Sequence, residues 1–292
     1  MKKYIVVTGG AGFIGSNLIK FLIKKNYHII SLDNYSAGSI QNHIANSKIR
    51  YIKGCTSDIS YLLLKYKKNI KVIFHFGEFS RIHGSFLNIE KCIQSNIIGT
   101  AAVINFCLQN KIKIIYSATS ASLGNQGRDQ NLSPYALTKA KNLKLLIHLN
   151  RWFNLSYEIV YFYNVYGNGH IKTGNMATVI GIFEHQTENK LPLTVVKPGI
   201  QSRTFTHIED TIKGCYLAWK KNKNRHYALS NNKSYTIIEI AKMFGGKIKY
   251  LNKKLGERYR SAKVNKIGNI KIYNIRCKQN IKLYINNFLK GM

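Results

Sequence analysis

Short apolar runs alternate with helical apolar spacing along the first half of the chain. Tyr4–Thr8 is a β-branched run, Gly9–Gly15 a glycine-rich turn, and Phe13–Lys25 carries its apolar residues at helical spacing. Further strands are predicted at Tyr27–Leu32, running up to Asp33, and at Ile49–Lys53, Val72–Phe76, Ile112–Ser117 and Tyr157–Tyr163. Helices are predicted at Ile89–Gln109 and Pro134–Arg151, the latter with Ser133 as a capping residue and Pro134 at the first helical position. This alternation implies an α/β fold, a doubly wound parallel sheet covered by helices on both faces. Beyond Gly167 the pattern becomes irregular, and neither an internal repeat nor a low-complexity linker is present. The expected division is a larger domain over 1–166, to which a segment near 205–230 returns, and a smaller unit over 167–292 that completes a cleft.

Composition adds little at first: 45% hydrophobic and 12% aromatic residues in 292 exclude global disorder. Charge adds more. The 45 Lys+Arg against 12 Asp+Glu give a formal net charge of +33, which taken alone points to nucleic acid or an acidic membrane. The bases are nevertheless spread along the chain beside abundant Ile and Asn, residues that share AT-rich codons, rather than gathered with stacking aromatics. The denser runs at Lys65–Lys71, Lys220–Arg225 and Lys247–Arg260 read as solvated faces and loops, so no specific nucleic-acid partner is expected. No apolar run has the length of a membrane span, and the run after Lys2-Lys3 stops at Thr8-Gly9-Gly10, too soon for a secretory signal. Cys55, Cys92, Cys107, Cys215 and Cys277 are odd in number and lack C-x-x-C spacing, which fits free thiols in a cytoplasmic protein. Glu184-His185 and Glu188 lack the H-E-x-x-H spacing, and no metal site is expected.

Two motifs carry chemistry. Gly9, Gly12 and Gly15 stand between a strand and a helix, where glycines let backbone N–H groups approach a pyrophosphate at the positive end of the helix. Asp33 ends the next strand, where a carboxylate can accept hydrogen bonds from an adenosine ribose; it favours NAD over NADP because a 2′-phosphate would be repelled. Tyr135 and Lys139 would lie one turn apart on one helix face. A tyrosine serves as a general base near neutral pH only where cations stabilise its phenolate, and a Lys ammonium beside an oxidised nicotinamide supplies them. The hydroxyl-rich run Ser117–Ser122 follows the fifth strand, at the edge where such sheets bind ligands.

Taken together, Thr8–Gly15, Asp33, Asn96–Thr100, the hydroxyl run and Tyr135–Lys139 resemble the extended short-chain dehydrogenase/reductases. The resemblance is closest to their NAD-dependent epimerase/dehydratase family and, within it, to the UDP-glucose 4-epimerase group. It implies a Rossmann-type NAD-binding domain with a smaller C-terminal substrate-binding domain. It implies that Gly9, Gly12, Phe13, Ile14 and Gly15 wrap the NAD pyrophosphate, that Asp33 and Asn34 hold the adenosine ribose, and that Phe76, Gly77 and Phe162 line the cofactor, with Asn96 in support. Thr119 would take the place of the family's catalytic Ser/Thr, Tyr135 would be the base, and Lys139 would hold the nicotinamide ribose. Asn164 would face substrate, Gly174-Asn175-Met176 would open a helix holding the nucleotide diphosphate, and Arg203 would pair with that diphosphate.

The sequence also departs from the family. Gly54-Cys55 stands where Gly-Asp usually contacts adenine, so that either Asp58 substitutes or adenine affinity is lower, and Lys254 stands where the family has a late phosphate-binding arginine. The 4,6-dehydratases carry Asp-Glu after the catalytic Thr, whereas Thr119 is followed by Ser120-Ala121, which disfavours dehydration. The expected activity is therefore epimerisation of a nucleotide sugar at C4 by transient oxidation with bound NAD, with UDP-glucose and UDP-galactose as the leading pair. A UDP-glucuronate decarboxylase, a UDP-N-acetylhexosamine epimerase, a dehydratase with an unusual acid, and a non-catalytic NAD- or nucleic-acid-binding protein stay open. The resemblance further implies a homodimer through a four-helix bundle, with Phe106, Leu143, Leu145, Leu146 and Leu149 as candidate contacts.

Overall fold

The computed structural model describes residues 2–124, 129–253, 255–256, 259 and 265–292. Strand β1 (Tyr4–Thr8) is buried along its whole length. Its side chains alternate between the two sides of the sheet: Tyr4 and Val6 enter one hydrophobic cluster, Ile5 and Val7 another. With β2 (His28–Asp33), β3 (Ile49–Lys53), β4 (Ile70–His75), β5 (Lys113–Thr119) and β6 (Tyr157–Phe162) it forms a parallel sheet in the order β3-β2-β1-β4-β5-β6. The order reverses between β1 and β4, which opens a crevice at their carboxyl ends. The second half of the chain extends the same sheet. His226–Leu229 pairs parallel with β6, Ile270–Asn274 parallel with that strand, and Lys266–Ile267 closes the edge antiparallel.

Helices cover both faces. Leu18, Ile19 and Leu22 of the first helix, Phe13–Lys24, share one cluster with Ile208, Ile212 and Cys215 of the returning helix Ile208–Lys221. The other face is covered by the helices over 89–109 and by the helix Pro134–Phe153, which Ser133 caps by accepting a hydrogen bond from Ala136 N. A third cluster, drawn from residues between Tyr166 and Leu289, forms a separate core around Phe183, Phe205 and Phe244.

Three local expectations are corrected. The helix expected over Ile89–Gln109 is interrupted: Ile89–Ile93 passes into a π-helical turn, Gln94–Gly99, before α-helix resumes at Thr100–Gln109. The wider turn directs the Asn96 carbonyl to the Asn142 amide, which donates to it, and such turns concentrate at functional sites. The helix expected to open at Gly174 begins at Val179 instead, because the Thr178 hydroxyl caps it by accepting from Gly181 N at 3.0 Å, leaving 174–177 as a tight turn. Of the candidate dimer contacts, Phe106, Leu143 and Leu146 are buried in the chain's own core and Leu149 packs against it, so only Leu145 stays on an exposed face.

A buried carboxylate ties the sheet together. Glu158 Oε1 accepts from Lys113 Nζ at 2.8 Å and from the backbone N–H groups of Lys223 and Asn224, and Oε2 accepts from Arg225 N at 2.8 Å. β5, β6 and the turn after the returning helix thus meet at one side chain. Glu158→Ala leaves the Lys113 ammonium and the backbone donors without it. The expected cost is about 3–5 kcal/mol, read as a lowered midpoint in equilibrium urea unfolding.

Candidate active site

The site begins at the turn after β1. Gly9 has φ +69°, and a Cβ there would lie 2.8 Å from Gly77 N, so the chain ends of β1 and β4 approach as closely as they do only because both residues lack side chains. A Cβ on Gly15 would run into the Gly9 carbonyl oxygen, and its absence lets the first helix start directly over the turn. Asp33 locks this turn: Oδ2 accepts from Ala11 N at 2.9 Å and Oδ1 from Tyr35 N at 2.8 Å. A carboxylate has about four acceptor positions, so two remain for a ribose.

These residues edge a cavity of about 1010 Å³. Gly9, Gly12, Phe13, Ile14, Gly15, Asp33 and Asn34 line it, as do Phe76, Gly77 and Phe162. The Phe76 and Phe162 rings meet edge to face at 5.5 Å. Asp58 does not join them. It starts the helix Ile59–Leu62 and lies within reach of Ser57 Oγ at 3.3 Å, while Cys55, Thr56 and Ser57 form the wall. Asn96 lies behind the wall, fully buried, accepting from Phe79 N at 2.7 Å and donating to Phe79 O and Thr138 Oγ1.

The reactive side is assembled from two elements. Thr119 ends β5, two residues beyond the expected strand, and its Oγ1 accepts from Ala121 N at 3.1 Å. Tyr135 and Lys139 stand on the first turns of the helix Pro134–Phe153, both buried, and all three residues line the cavity. Burial pushes the Tyr135 phenol up to about 12; the Thr119 hydroxyl pulls it back, Glu78 raises it, and the Arg81 guanidinium lowers it. Tyr135 is therefore a neutral phenol at neutral pH, and a phenolate there needs additional positive charge.

Sequence reasoning missed two residues here. Glu78, its side chain 2% exposed, is ion-paired through Oε2 with the Lys139 ammonium. Its Oε1 accepts from Thr100 Oγ1 at 3.0 Å, Tyr116 OH at 3.0 Å and Asn142 Nδ2 at 3.3 Å. Because a carboxylate only accepts, the Thr100 hydroxyl donates to it and accepts in turn from His75 Nε2 at 2.9 Å. His75 Nδ1 then accepts from the Thr8 hydroxyl at 2.8 Å, and Thr8 Oγ1 accepts from Phe76 N and Gly77 N. Burial lowers His75 to about 4, so it is the neutral link of this chain. Arg81, also on the cavity wall, donates from Nε to Met176 O at 3.0 Å and bonds the same oxygen through Nη2. One sequence signal pointed to Glu78: it is one of only 12 acids in the chain, three residues past the end of a central strand.

On the far wall, Asn164, Asn175, Met176 and Arg203 all line the cavity. Asn164 has φ +33° and its amide donates to Thr204 O at 2.9 Å, while Arg203 Nη1 donates to Ser202 O at 2.9 Å. Lys254 lies outside the described residues. Glu184 turns away from His185: its Oε2 meets His170 Nε2 at 2.9 Å and its Oε1 accepts from Tyr284 OH at 2.7 Å. No helix among the described residues is long and apolar enough to cross a membrane.

A doubly wound sheet, a glycine-built crevice at its switch point and a Tyr/Lys pair beside it define a Rossmann-fold enzyme of the extended short-chain dehydrogenase/reductase type. The family model for the NAD dependent epimerase/dehydratase family matches residues 5–230, and the chain belongs to that family. It is 29% identical over 272 residues to a putative UDP-glucose 4-epimerase of Methanocaldococcus jannaschii, covering 88% of each chain. It is 26% identical over 257 residues to UDP-glucuronic acid decarboxylase 4 of Arabidopsis thaliana, covering 82% of this chain and 56% of that protein. Among solved structures, UDP-N-acetylglucosamine 4-epimerase from Methanobrevibacter ruminantium matches over 100% of both chains with a TM-score of 0.84 at 25% identity. The family acts on nucleotide sugars with NAD as cofactor, and the cradle at Gly9 and Gly15, with Asp33 beside it, has the shape and acceptors that NAD needs.

An oxidised nicotinamide bound beside Tyr135 would lower the pKa of its phenol. The expected result is that NAD moves the Tyr135 titration to lower pH, measured as phenolate absorbance in the difference between wild type and Tyr135→Phe. Identical titrations with and without NAD would count against a cofactor at this position.

Proposed function

We propose that the chain is a nucleotide-sugar 4-epimerase, with UDP-glucose and UDP-galactose as the leading substrate pair. The observation that carries this reading is Thr119, Tyr135 and Lys139 on one cavity, with Ser120-Ala121 after Thr119 where a dehydratase carries acids. Gly9, Gly12, Phe13, Ile14 and Gly15 would hold the pyrophosphate of NAD, Asp33 and Asn34 its adenosine ribose, and Lys139 its nicotinamide ribose. When bound, NAD supplies a reversible hydride acceptor. Tyr135 takes the proton of the sugar C4 hydroxyl and later returns it, and the Thr119 hydroxyl holds the same oxygen. Arg203 presents a planar fork suited to a diphosphate, with Asn164 and the turn at Asn175-Met176 beside it. A substrate anchored at its diphosphate leaves the sugar free to turn and to offer both faces of C4 to one acid–base set. Lys254 is retained in the proposal as a phosphate contact on the sequence alone.

A second reading, loss of the carboxylate of a nucleotide uronate, starts from the same oxidation and is favoured by the likeness to the Arabidopsis decarboxylase. Incubation with a panel of UDP- and dTDP-sugars, read by NMR, separates the two: interconversion without release of CO₂ or water supports epimerisation. On either reading Tyr135→Phe loses roughly 10²–10⁴ in turnover; near-normal turnover would sink the assignment. Thr119→Ser is expected to be mild and Thr119→Val severe, and equal rates for the two would remove Thr119 from the chemistry.

We also infer a homodimer. Leu137, Leu145 and Trp152 are 39%, 38% and 63% exposed along one stripe of the helix Pro134–Phe153, and Ile93 and Ile98 are 44% and 48% exposed on the neighbouring helical segment. Lys141, Lys144 and His148 share the stripe, so the pairing would be mixed rather than purely apolar. Leu145→Asp is expected to convert a dimer to a monomer in light scattering after gel filtration; an unchanged mass would place the interface elsewhere.

A further inference from the structure

The proposed reaction leaves Glu78 without a part. Its carboxylate lies on the cavity wall and is held by neutral donors from three elements: Thr100 on the helix Thr100–Gln109, Tyr116 on β5 and Asn142 on the helix Pro134–Phe153. Those donors fix its position independently of Lys139. None of them carries a charge. His75, the nearest imidazole in the same chain of hydrogen bonds, is held neutral by burial. The positive charge paired with Glu78 is therefore the Lys139 ammonium, itself 4% exposed.

From the other side, the Lys139 ammonium has three N–H groups and meets three acceptors, Glu78 Oε2, Ser117 O and, at 3.3 Å, Ser117 Oγ, the longest of which is the one a nicotinamide ribose hydroxyl would take over. Its Nζ lies 4.7 Å from the centre of the Tyr116 ring, a further contact that favours a cation. An amine would have one donor too few for this set, and the Glu78 carboxylate would be left as an unpaired buried charge.

Resting on the reading that Tyr135 and Lys139 do the proton chemistry, we propose that Glu78 is a positioning residue, a preset counter-ion that keeps Lys139 protonated beside Tyr135 and thereby sets the pH range in which the pair works. The groups facing the pair are Glu78 and Arg81 from the segment after β4, Cys92 from the helix Ile89–Ile93, Tyr116 and Ser117 from β5, and Thr119 at its end. Burial disfavours the Lys139 ammonium and Glu78 opposes that effect. Glu78 also raises the Tyr135 phenol. The signs follow: without the carboxylate, Lys139 gives up its proton at lower pH, and Tyr135 becomes easier to ionise while Lys139 is still charged. Both limbs of the pH profile move down together. A residue that only filled space would lower the height of the profile and leave its limbs in place.

The test is the titration of Lys139 itself, followed by ¹H–¹³C NMR of the lysine ε-carbons, with its signal assigned by loss in Lys139→Arg. In the wild type Lys139 is expected to remain an ammonium across the working pH range. In Glu78→Gln its midpoint is expected to fall by roughly one to three pH units, the effect of removing an adjacent opposite charge, and in Glu78→Asp to stay near the wild-type value. With an active substrate, both limbs of kcat against pH shift down in Glu78→Gln. An unchanged Lys139 midpoint in Glu78→Gln, or a wild-type Lys139 that is already an amine at neutral pH, overturns the proposal. The second measurement needs only the Lys139→Arg assignment and not Glu78→Gln, so it decides the matter even if Glu78→Gln fails to fold. The titrations need no substrate, so lack of turnover on any nucleotide sugar would sink the functional reading separately.

Discussion

The close approach of backbone at Gly9, Gly15 and Gly77 is the constraint on which the rest of the site depends. Any side chain at Gly9 would strike the chain leaving β4, and any at Gly15 would strike the turn before the first helix. With those atoms absent, the ends of β1 and β4 come together, the helix begins over the turn, and the crevice at the switch point gets a floor of backbone N–H groups. Thr8 sits at the same junction, and its hydroxyl collects the N–H groups of Phe76 and Gly77. From there an ordered run of hydrogen bonds leads through His75 and Thr100 to Glu78 and Lys139. The glycine turn and the Tyr135–Lys139 side of the cavity are thus joined by one run of hydrogen bonds.

Acidic residues are scarce in this chain, and several of them are buried as counter-ions. Glu78 meets Lys139, Glu158 meets Lys113 and three backbone donors, and Glu184 meets His170, Lys172 and Tyr284. Each joins elements distant in sequence. A buried ion pair adds little net stability over an apolar replacement, but removing one partner is costly, so such pairs act as register marks between elements. Most of the surplus positive charge, by contrast, is on exposed lysines, such as Lys65, Lys67 and Lys68, where water screens it. A net charge of +33 is compatible with capture of anionic nucleotides at low salt, although nothing in the site requires it.

Much of this was legible in the sequence because the signals are local. β-branched runs between turns marked β1 to β6 to within about two residues, since period-two burial in a covered sheet demands nearly continuous apolar strands. The glycine turn, Asp33 and the Tyr135–Lys139 spacing were readable for the same reason. What escaped has more than one cause. The π-helical turn at Gln94–Gly99 depends on Asn142 and Phe79, far away in the chain. The late start of the helix at Val179 depends on which hydroxyl wins the capping position. Asp58 looked like a substitute for the missing adenine contact by distance along the chain, yet it is exposed at the start of a short helix, and Cys55, Thr56 and Ser57 line the cavity instead.

The sequence by itself determined the strands of the parallel sheet, the glycine turn beside them and the candidate groups for proton chemistry, because strand, turn and helix signals act over a few residues. Only the tertiary structure decided the electrostatic state of those groups. Tyr135 is a buried phenol and Lys139 a paired ammonium because Glu78, held by Thr100 and Tyr116, arrives from other elements. A charge in a low-dielectric interior responds to whatever lies within a few ångströms, whatever its position in the chain.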